Sequence, residues 1–172
     1  GAVGGGGFTW PADSHSLSGN DYWSGHLGID IAAVEGAPVY AADSGVVTMA
    51  QGGYNYGYGN VIQIDHGNGY TTIYAHLSVI GVGQCASVSQ GQWIGAAGNT
   101  GNSQGAHLHF EVGQGGGNIN PWSSLCAITN APISLVLTPQ LVAHTYSSLF
   151  SLSLNFTSKA FAKFCPRKCD VP

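Results

Sequence analysis

The sequence has 172 residues, of which 44% are hydrophobic and 7% charged, and its formal net charge is −4. Residues 1–158 contain no Lys or Arg, because all the basic residues fall near the C-terminus: Lys159, Lys163, Arg167 and Lys168. Nucleic acid is therefore excluded as a partner of the main body, since affinity for phosphates depends on Lys and Arg. The length predicts one domain, and the 27 glycines favour turns and short strands over helices.

The first predicted elements lead up to a histidine-containing motif. Residues 4–7 are a glycine run that predicts the end of a flexible linker. Residues 8–10 predict a short first strand, which Pro11 would end. Residues 12–21 lack periodicity and predict a loop over the site that the later motifs define.

The middle of the chain predicts antiparallel strands. Short strands are expected at 38–42 and 46–50, separated by a D-S-G turn. The clearest hairpin joins residues 60–66 to residues 70–76 through the turn G-N-G. A further apolar strand is predicted at 88–98.

The hairpin contains two histidines for which the pattern predicts different environments. Alternation places His76 on the same face as Tyr74, so the strand end would present it rigidly. His66 lies beside the turn and is predicted to be a solvated loop histidine. The same prediction applies to two histidines without a partner motif, His15 and His144.

Two glycine-rich segments are predicted to be loops. Tyr54, Tyr56 and Tyr58 alternate with glycines and predict a mobile loop, which either lines a groove for a sugar or peptide ligand or simply packs. Residues 113–117 predict a second flexible loop, and residues 118–125 would close the domain.

The most informative stretch is A-H-L-H-F-E-V, residues 106–112. A period of two predicts a strand with its apolar residues on one face: Leu108, Phe110 and Val112. The opposite face would carry the polar residues: His107, His109 and Glu111. Histidines at i and i+2 lie roughly 6–7 Å apart at the backbone, so one can bind a metal while the other faces whatever the metal binds.

A second stretch, G-H-L-G-I-D at 25–30, supplies two further candidate ligands, His26 and Asp30. On a straight strand they would lie roughly 13 Å apart, too far for both to reach one ion, so we expect the chain to bend between them. Gly25 and Gly28 make that bend easy. A catalytic zinc site takes three protein ligands and leaves a fourth position for water.

Several motifs together resemble the lysostaphin-type zinc metallopeptidases, the peptidoglycan endopeptidases. They are H-x-x-x-D at His26 and Asp30, Y-A-H-L around His76, and G-N-T-G-N-S-Q-G-A-H-L-H-F-E-V, in that order. The resemblance covers residues 8–125. It implies a mainly β fold with an antiparallel sheet and a groove, similar to the duplicated hybrid motif fold, over residues 8–126. Residues 1–7 would be a linker remnant and residues 127–172 an extension of unknown fold.

The resemblance also implies a mechanism. One zinc ion would be held by His26, Asp30 and His109. His76 and His107 would be the catalytic histidines, one helping to deprotonate water and the other stabilising charge or protonating the leaving amine. The sequence does not determine which of the two histidines has which role. The implied reaction is hydrolysis of peptide bonds in the stems or cross-bridges of bacterial peptidoglycan.

Three further residues are candidates for the site. Tyr22 precedes His26 and either contacts substrate, as a tyrosine in this region does in some family members, or is a packed aromatic. Glu111 either orients a ligand imidazole or faces solvent. Ser103 is predicted to be a loop residue near the groove.

Competing functions follow from other features. Residues 101–105 match G-x-S-x-G of serine hydrolases, but that motif needs a helix after it and a strand follows here. The absence of H-E-x-x-H excludes a thermolysin-like helix site. A non-catalytic regulatory module on the same fold is a second hypothesis, which the five intact site positions oppose. A secreted lysin that attacks competitors is a third, and differs only in its target cell.

Cysteine content bears on the compartment. The chain has four cysteines, Cys85, Cys126, Cys165 and Cys169, and an even count in a small chain favours disulfides in an exported protein. We expect Cys85 to pair with Cys126, because both border the catalytic domain, although buried free thiols are an equal alternative. No run of 18 apolar residues is present, so no transmembrane segment is expected. The peptidoglycan substrate that the resemblance implies predicts a location that is extracellular, in the cell wall or periplasmic, and the expected oligomeric state is a monomer.

Overall fold

The computed structural model describes residues 2–125, which form ten β-strands, a 3-10 turn and one short helix. The strands are β1 Ile29–Ala32, β2 Pro38–Tyr40, β3 Gly45–Gln51, β4 Asn60–Asp65, β5 Tyr70–Leu77, β6 Val79–Ile80, β7 Ser87–Val88, β8 Trp93–Ala96, β9 His107–Gln114 and β10 Gly117–Ile119. The 3-10 turn spans Asn55–Gly57, and the helix α1 spans Pro121–Leu125. Among residues 2–125, no helix has the length and apolar character needed to cross a membrane.

The strands form two antiparallel sheets, which confirms the predicted mainly β class. Seven strands make the larger sheet in the order β1, β9, β5, β4, β3, β7, with β10 pairing beside β1 on the edge of β9. The smaller sheet has the order β2, β8, β6. Because β9 lies between β1 and β5, side chains from three strands meet on each face of the larger sheet at this point.

One face of β9 lies in the core, as its period of two predicts. Leu108, Phe110 and Val112 are fully buried, and Tyr74 of β5 packs against Phe110 with ring centroids 5.4 Å apart. Ile94 of the smaller sheet belongs to the same cluster. Burial of an apolar side chain of this size contributes roughly 1.5–3 kcal/mol. The core therefore supports the strand that carries the histidines.

The predicted hairpin is formed by β4 and β5, but its first histidine is not solvated. His66 is fully buried, and its ring packs edge-on against Phe8 at 5.2 Å. Its Nδ1–H donates to the carbonyl oxygen of Ser44, and its Nε2 bonds with the hydroxyl of Thr72, each over 2.9 Å. The prediction was wrong because the turn occupies only 67–69, so His66 still pairs with the opposite strand.

The glycine run at 4–7 is bound to the body, although it predicts a flexible linker. Gly4 N–H donates to the carbonyl of His66 over 2.7 Å, and Gly6 N–H donates to the carboxylate of Asp43 over 2.9 Å. A Cβ on Gly4 would clash with Asp43, so glycine permits this close approach. The backbone itself supplies the contacts that a composition-based prediction does not consider.

The predicted first strand at 8–10 is absent. Thr9 N–H donates to the carbonyl of Ala42, but residues 8–10 form neither a strand nor a bridge, and an isolated bridge follows between Ala12 and Val39. The chain is therefore attached to the smaller sheet without adding a strand to it.

Two other predictions differ from the structure in their boundaries. The single strand expected at 88–98 is two strands, since residues 89–92 turn between β7 in the larger sheet and β8 in the smaller one. The loop expected at 113–117 is the tip of a β9–β10 hairpin. Gly115 and Gly116 have φ values of +59° and +89° and form the turn that joins these strands.

Several predictions concern residues 126–172, which lie outside the described residues. They include the extension at 127–172, His144, Cys126, Cys165 and Cys169. Cys85 is exposed. Its pairing with Cys126 stays a prediction.

Candidate metal centre

β1 and β9 bring a carboxylate and an imidazole together on the face opposite the core. Antiparallel pairing places Asp30 directly across from His109, and the side chains of such a pair project on the same side. Asp30 Oδ1 lies 2.9 Å from His109 Nδ1. One strand pair therefore brings together two of the three candidate ligands.

His26 joins the cluster through a turn before β1. His26 N–H donates to the carbonyl of Trp23 over 2.9 Å, which folds the chain back on itself. Gly28 then passes close to β9, where a Cβ would lie 2.5 Å from the carbonyl oxygen of Phe110. The bend predicted from the glycines is present, and it brings His26 Nε2 to 3.1 Å from Asp30 Oδ1.

The three side chains fit a single zinc ion. His26, Asp30 and His109 each offer one ligand atom, and these atoms lie within 4.8 Å of one another. Two imidazoles and a carboxylate are donors that zinc accepts, and bonds of about 2.0–2.1 Å in a tetrahedron place neighbouring donors about 3.3 Å apart. Asp30 Oδ1 lies 3.1 Å from the His26 nitrogen and 2.9 Å from the His109 nitrogen.

Protein groups hold the remaining polar atoms of these three side chains. His26 Nδ1–H donates to the carbonyl of Asp21 over 3.0 Å, because a carbonyl only accepts, and this bond turns Nε2 towards Asp30. Asn20 donates to Asp30 Oδ2 over 2.9 Å, which leaves Oδ1 facing the two imidazoles. Such contacts fix the orientation of metal ligands.

Glu111 holds the third ligand. Its carboxylate is 3% exposed, so the solvent-facing alternative is excluded. Oε1 accepts from His109 Nε2 over 3.0 Å and from the hydroxyl of Tyr58 over 2.7 Å, while Oε2 accepts from Asn118 over 2.6 Å. Burial alone would raise the pKa of Glu111, but the bonds from His109 and Tyr58 lower it. The carboxylate is therefore ionised and directs His109 Nδ1 towards Asp30.

His76 reaches the cluster through a break in strand alternation. The pairing of β5 with β9 puts Tyr74 on the core side and Ala75 opposite His109, so regular alternation would turn His76 towards the core. A φ of +60° at His76 interrupts that pattern. Its ring centroid consequently lies 4.8 Å from that of His107 and 5.7 Å from that of His109. The prediction that His76 shares a face with Tyr74 was wrong, because a strained backbone, typical of functional sites, redirects the side chain.

Backbone carbonyls set the orientation of the two remaining imidazoles. His76 Nδ1–H donates to the carbonyl of Thr100, and His107 Nδ1–H donates to the carbonyl of Gly105, each over 2.8 Å. Nε2 is thereby the nitrogen of each ring that is free to gain or lose a proton, and His107 Nε2 lies 3.5 Å from Asp30 Oδ1. Both rings line the groove.

The cluster shifts the pKa values of its members. Burial lowers the pKa of His76, whereas Asp30 raises the pKa of His107 against the lowering effect of burial. Burial alone would raise the pKa of Asp30, but its bonds with His107 and His109 lower it. Burial would likewise lower the pKa of His109, but Asp30 and Glu111 together raise it to about 9. A metal at His109 Nδ1 would therefore displace a proton.

The cluster lies in a groove of about 770 Å³. Three loop segments surround the histidines, at 18–20, 56–58 and 102–106. The first belongs to the predicted loop at 12–21, and the second belongs to the tyrosine-rich segment that was predicted as a possible groove wall. The ring of Tyr56 is fully exposed at this position.

Tyr22 and Ser103, the other two candidate site residues, lie outside the histidine cluster. Tyr22 packs against the core, with its hydroxyl 3.5 Å from the carbonyl of Asn118, and does not line the groove. Ser103 does line it and lies 3.2 Å from His107 Nδ1. That nitrogen already donates to Gly105, so it is not available as a base for the serine. The segment is followed by β9, and the helix that a serine-hydrolase motif requires is absent here.

Sequence reasoning missed several supporting residues. Asn20, Asp21, Tyr58 and Asn118 contact either a candidate ligand or Glu111. They lie in loops or on a short strand without periodicity. Of these residues only Tyr58 had a signal in the sequence, because the run Y-G-Y-G that contains it predicted a loop that could line a groove.

Comparison with known proteins identifies similar sequences and structures. Residues 24–121 match Peptidase family M23. Peptidoglycan DD-endopeptidase ShyA from Vibrio cholerae is 49% identical over 88 residues, which cover 51% of this chain and 20% of that protein. The chain thus spans about a fifth of the length of this relative.

Two solved structures are similar as well. A zinc containing peptidase from Vibrio cholerae is 31% identical with a TM-score of 0.61, covering 66% of this chain and 39% of that one. The catalytic domain of the antimicrobial peptidase lysostaphin from Staphylococcus simulans is 31% identical with a TM-score of 0.56, covering 68% of this chain and 90% of that one. The resemblance found in the sequence is confirmed. Because the family match spans more than half of the chain and includes every histidine of the cluster, the chain belongs to Peptidase family M23.

Proposed function

We propose that the chain is a zinc-dependent endopeptidase that hydrolyses peptide bonds in the stems or cross-bridges of bacterial peptidoglycan. The observation that carries this proposal is the set of three ligand atoms within 4.8 Å of one another, which lies in a groove beside two further imidazoles. Family membership supports the reaction. The substrate class is supported by the name of the Vibrio cholerae relative, a peptidoglycan DD-endopeptidase.

His26 Nε2, Asp30 Oδ1 and His109 Nδ1 hold the zinc in this proposal. When bound there, zinc polarises the scissile carbonyl and lowers the pKa of water towards roughly 7. The carbonyl of Asp21 and the carboxylate of Glu111 keep protons on the other nitrogens of the two histidines. The ligand atoms are thereby held ready for the metal.

His76 and His107 divide proton transfer and charge stabilisation between them. Each donates its Nδ1–H to a backbone carbonyl, so each presents Nε2 for exchange of a proton in the groove. One assists removal of the proton from water, and the other stabilises the developing charge or protonates the leaving amine. Their ring centroids are 4.8 Å apart, so both serve one reacting bond.

The groove loops suit an extended peptide. Around the histidines they offer small and amide-bearing side chains, including Ser18, Asn20, Asn102 and Gln104. Amides both donate and accept hydrogen bonds, as a peptide backbone requires of its partner. Ser103 contributes to this surface as a loop residue, while Tyr22 supports the fold beside it.

We assign the peptidase domain to residues 8–126, with residues 1–7 before it and the extension at 127–172 after it. We further propose that it acts as a monomer outside the cytoplasm, in the extracellular space, the cell wall or the periplasm, where its substrate lies. A disulfide between Cys85 and Cys126 would form in such an oxidising compartment. The exposure of Cys85 is compatible with that pairing.

The proposal is tested by a pair of variants on the same strand. His109→Ala should abolish zinc retention and hydrolysis, because it removes a ligand. His107→Ala should retain one zinc per chain but lose roughly 100-fold or more in rate, because it removes a proton-transfer group. Zinc is measured by elemental analysis after gel filtration, and rate with a soluble cross-linked peptide from peptidoglycan.

The reverse pattern of zinc retention would exchange the two assignments. A wild-type protein that holds zinc but cleaves no peptidoglycan peptide would overturn the enzymatic proposal in favour of the regulatory module.

A further inference from the structure

Tyr58 extends from the groove wall to the support of the metal centre. Its ring lines the groove, and its hydroxyl donates to Glu111 Oε1 over 2.7 Å. The same oxygen accepts the Nε2–H of His109 over 3.0 Å. The Tyr58 and His109 ring centroids are 6.0 Å apart. A residue of the groove wall is therefore one hydrogen bond away from the group that orients a candidate ligand.

The orientation of His109 depends on the position of Glu111. His109 has two nitrogens, and only the one facing Asp30 and His26 can join them in holding a metal. A displaced Glu111 would leave the His109 ring free to rotate about its terminal torsion, which is broad in energy. Two donors outside the cluster, Tyr58 and Asn118, bind the two carboxylate oxygens separately.

Tyr58 has a second link to the site through its backbone. Its carbonyl accepts the N–H of His76 over 2.8 Å, at the residue whose φ is +60°. Tyr58 thus contacts the backbone of one catalytic candidate and the support of a candidate ligand.

The loop that carries Tyr58 adopts an energetically unfavourable backbone conformation. Asn55 and Tyr56 have φ values of +46° and +55°, a region that residues other than glycine seldom adopt. Asn55 Nδ2 donates to the carbonyl of Gly59 over 2.8 Å, and Asn102 N–H donates to the carbonyl of Gly57 over 2.8 Å. Strained backbone persists where its surroundings determine it and concentrates at functional sites. These bonds hold the position of Tyr58.

We infer that Tyr58 is a positioning residue, whose hydroxyl holds Glu111 so that His109 presents Nδ1 to the metal. The inference rests on the proposed zinc site. It makes the tyrosine-rich loop part of the support of the metal centre as well as a wall of the groove.

The test compares two tyrosines of one loop. Tyr58→Phe keeps the ring and removes the hydroxyl, and should weaken zinc binding about tenfold, the lower end of the effect of removing such a support. Tyr56→Phe is the matched control, since Tyr56 is fully exposed and the same atom is removed. Its zinc affinity should equal that of the wild type. Zinc dissociation constants are measured by competition with a chromogenic chelator, with thermal unfolding of the zinc-free proteins alongside.

A double-mutant cycle shows whether Tyr58 acts through Glu111. Glu111→Gln should weaken zinc binding by itself, and adding Tyr58→Phe should then change the affinity by less than about twofold, because the two changes break one chain of contacts. Equal zinc affinity of Tyr58→Phe and wild type would overturn the inference. It would also be overturned if the effects of Tyr58→Phe and Glu111→Gln on zinc affinity simply added in the double mutant.

These outcomes are independent of the proposed reaction. Zinc affinity is measured without substrate, so failure to cleave peptidoglycan would contradict the proposed function and leave the positioning role standing. Normal cleavage by the wild type, together with unchanged zinc affinity in Tyr58→Phe, would contradict the positioning role and leave the proposed function standing.

Discussion

His66 and His76 stand at opposite ends of one hairpin, and both are buried. Protein groups engage both ring nitrogens of His66: the carbonyl of Ser44 and the hydroxyl of Thr72. In His76 only Nδ1 is engaged, by the carbonyl of Thr100, and the ring lines the groove. Burial by itself thus does not separate a structural histidine from a chemical one. The difference is whether a nitrogen remains available to a ligand.

The backbone also differs between the two ends of the hairpin: it is regular at His66 and irregular at His76. His66 continues the pairing of β4 with β5, since its N–H donates to the carbonyl of Tyr70 over 3.0 Å. His76 leaves the strand pattern through its positive φ. Regular structure therefore accommodates the first histidine, while the second needs a strained residue that the surrounding contacts maintain.

The largest effect should follow removal of the available imidazole. His76→Asn tests this with little backbone cost, because Asn tolerates a left-handed conformation better than most residues. We expect the hydrolysis rate to fall roughly 100- to 10,000-fold, the usual contribution of acid–base catalysis. Zinc content and melting temperature should stay close to those of the wild type, since His76 is not a proposed ligand. Loss of zinc with the rate would show that His76 belongs to the ligand set instead.

His66 should affect stability and its pH dependence rather than rate. Burial lowers the pKa of His66, although the carbonyl of Ser44 and the charges of Asp43 and Asp65 oppose this. Above an ordinary pKa of about 6.5 the ring is neutral in both the folded and unfolded states. As the pH falls below that value, the unfolded chain binds the proton first, and stability is lost progressively down to the lower folded pKa.

His66→Gln removes that titration while keeping a polar side chain of similar length. It should lower the free energy of unfolding by about 1–3 kcal/mol at pH 7.5, the cost of disturbing buried hydrogen bonds. The deficit relative to wild type should shrink between pH 6.5 and pH 5. Denaturant unfolding at pH 7.5, 6.5 and 5 measures this deficit in the free energy of unfolding. The hydrolysis rate per folded molecule is the control, because His66 is not expected to affect it. A deficit that grows at low pH would contradict the assigned direction.

Ser103 should have the smallest effect, although it lies 3.2 Å from His107. Its hydroxyl donates to the carbonyl of Gly105, a contact within one loop. Ser103→Ala should therefore change kcat/KM by no more than about twofold, because the serine forms no covalent intermediate in the proposed reaction. Complete inactivity with zinc still bound would restore the serine-hydrolase hypothesis.

The sequence was sufficient to predict the parts of the molecule that follow a period. Alternation in A-H-L-H-F-E-V predicted both faces of β9, and the spacing of His26 and Asp30 around glycines predicted the bend. The motif order predicted the family. Each of these signals depends on residue types at short, fixed separations.

Features that depend on distant contacts were not predictable in the same way. His66 was predicted in solvent because sequence shows its place beside a turn but not the contact with Phe8. The reversal of His76 depends on one backbone torsion that no residue type dictates. Tyr58 and Asn118 meet Glu111 from positions 53 and 7 residues away in the chain, through pairings that only the folded sheet creates.

The central claim is tested most directly by mass spectrometry of the fragments released from purified peptidoglycan. The zinc-loaded protein is compared with the same preparation treated with a chelator. We expect release of peptides with new amino termini that the chelator abolishes and added zinc restores, which would also identify the bond that is cut. No release by a folded protein that holds one zinc ion, across several peptidoglycan types, would contradict the proposed endopeptidase.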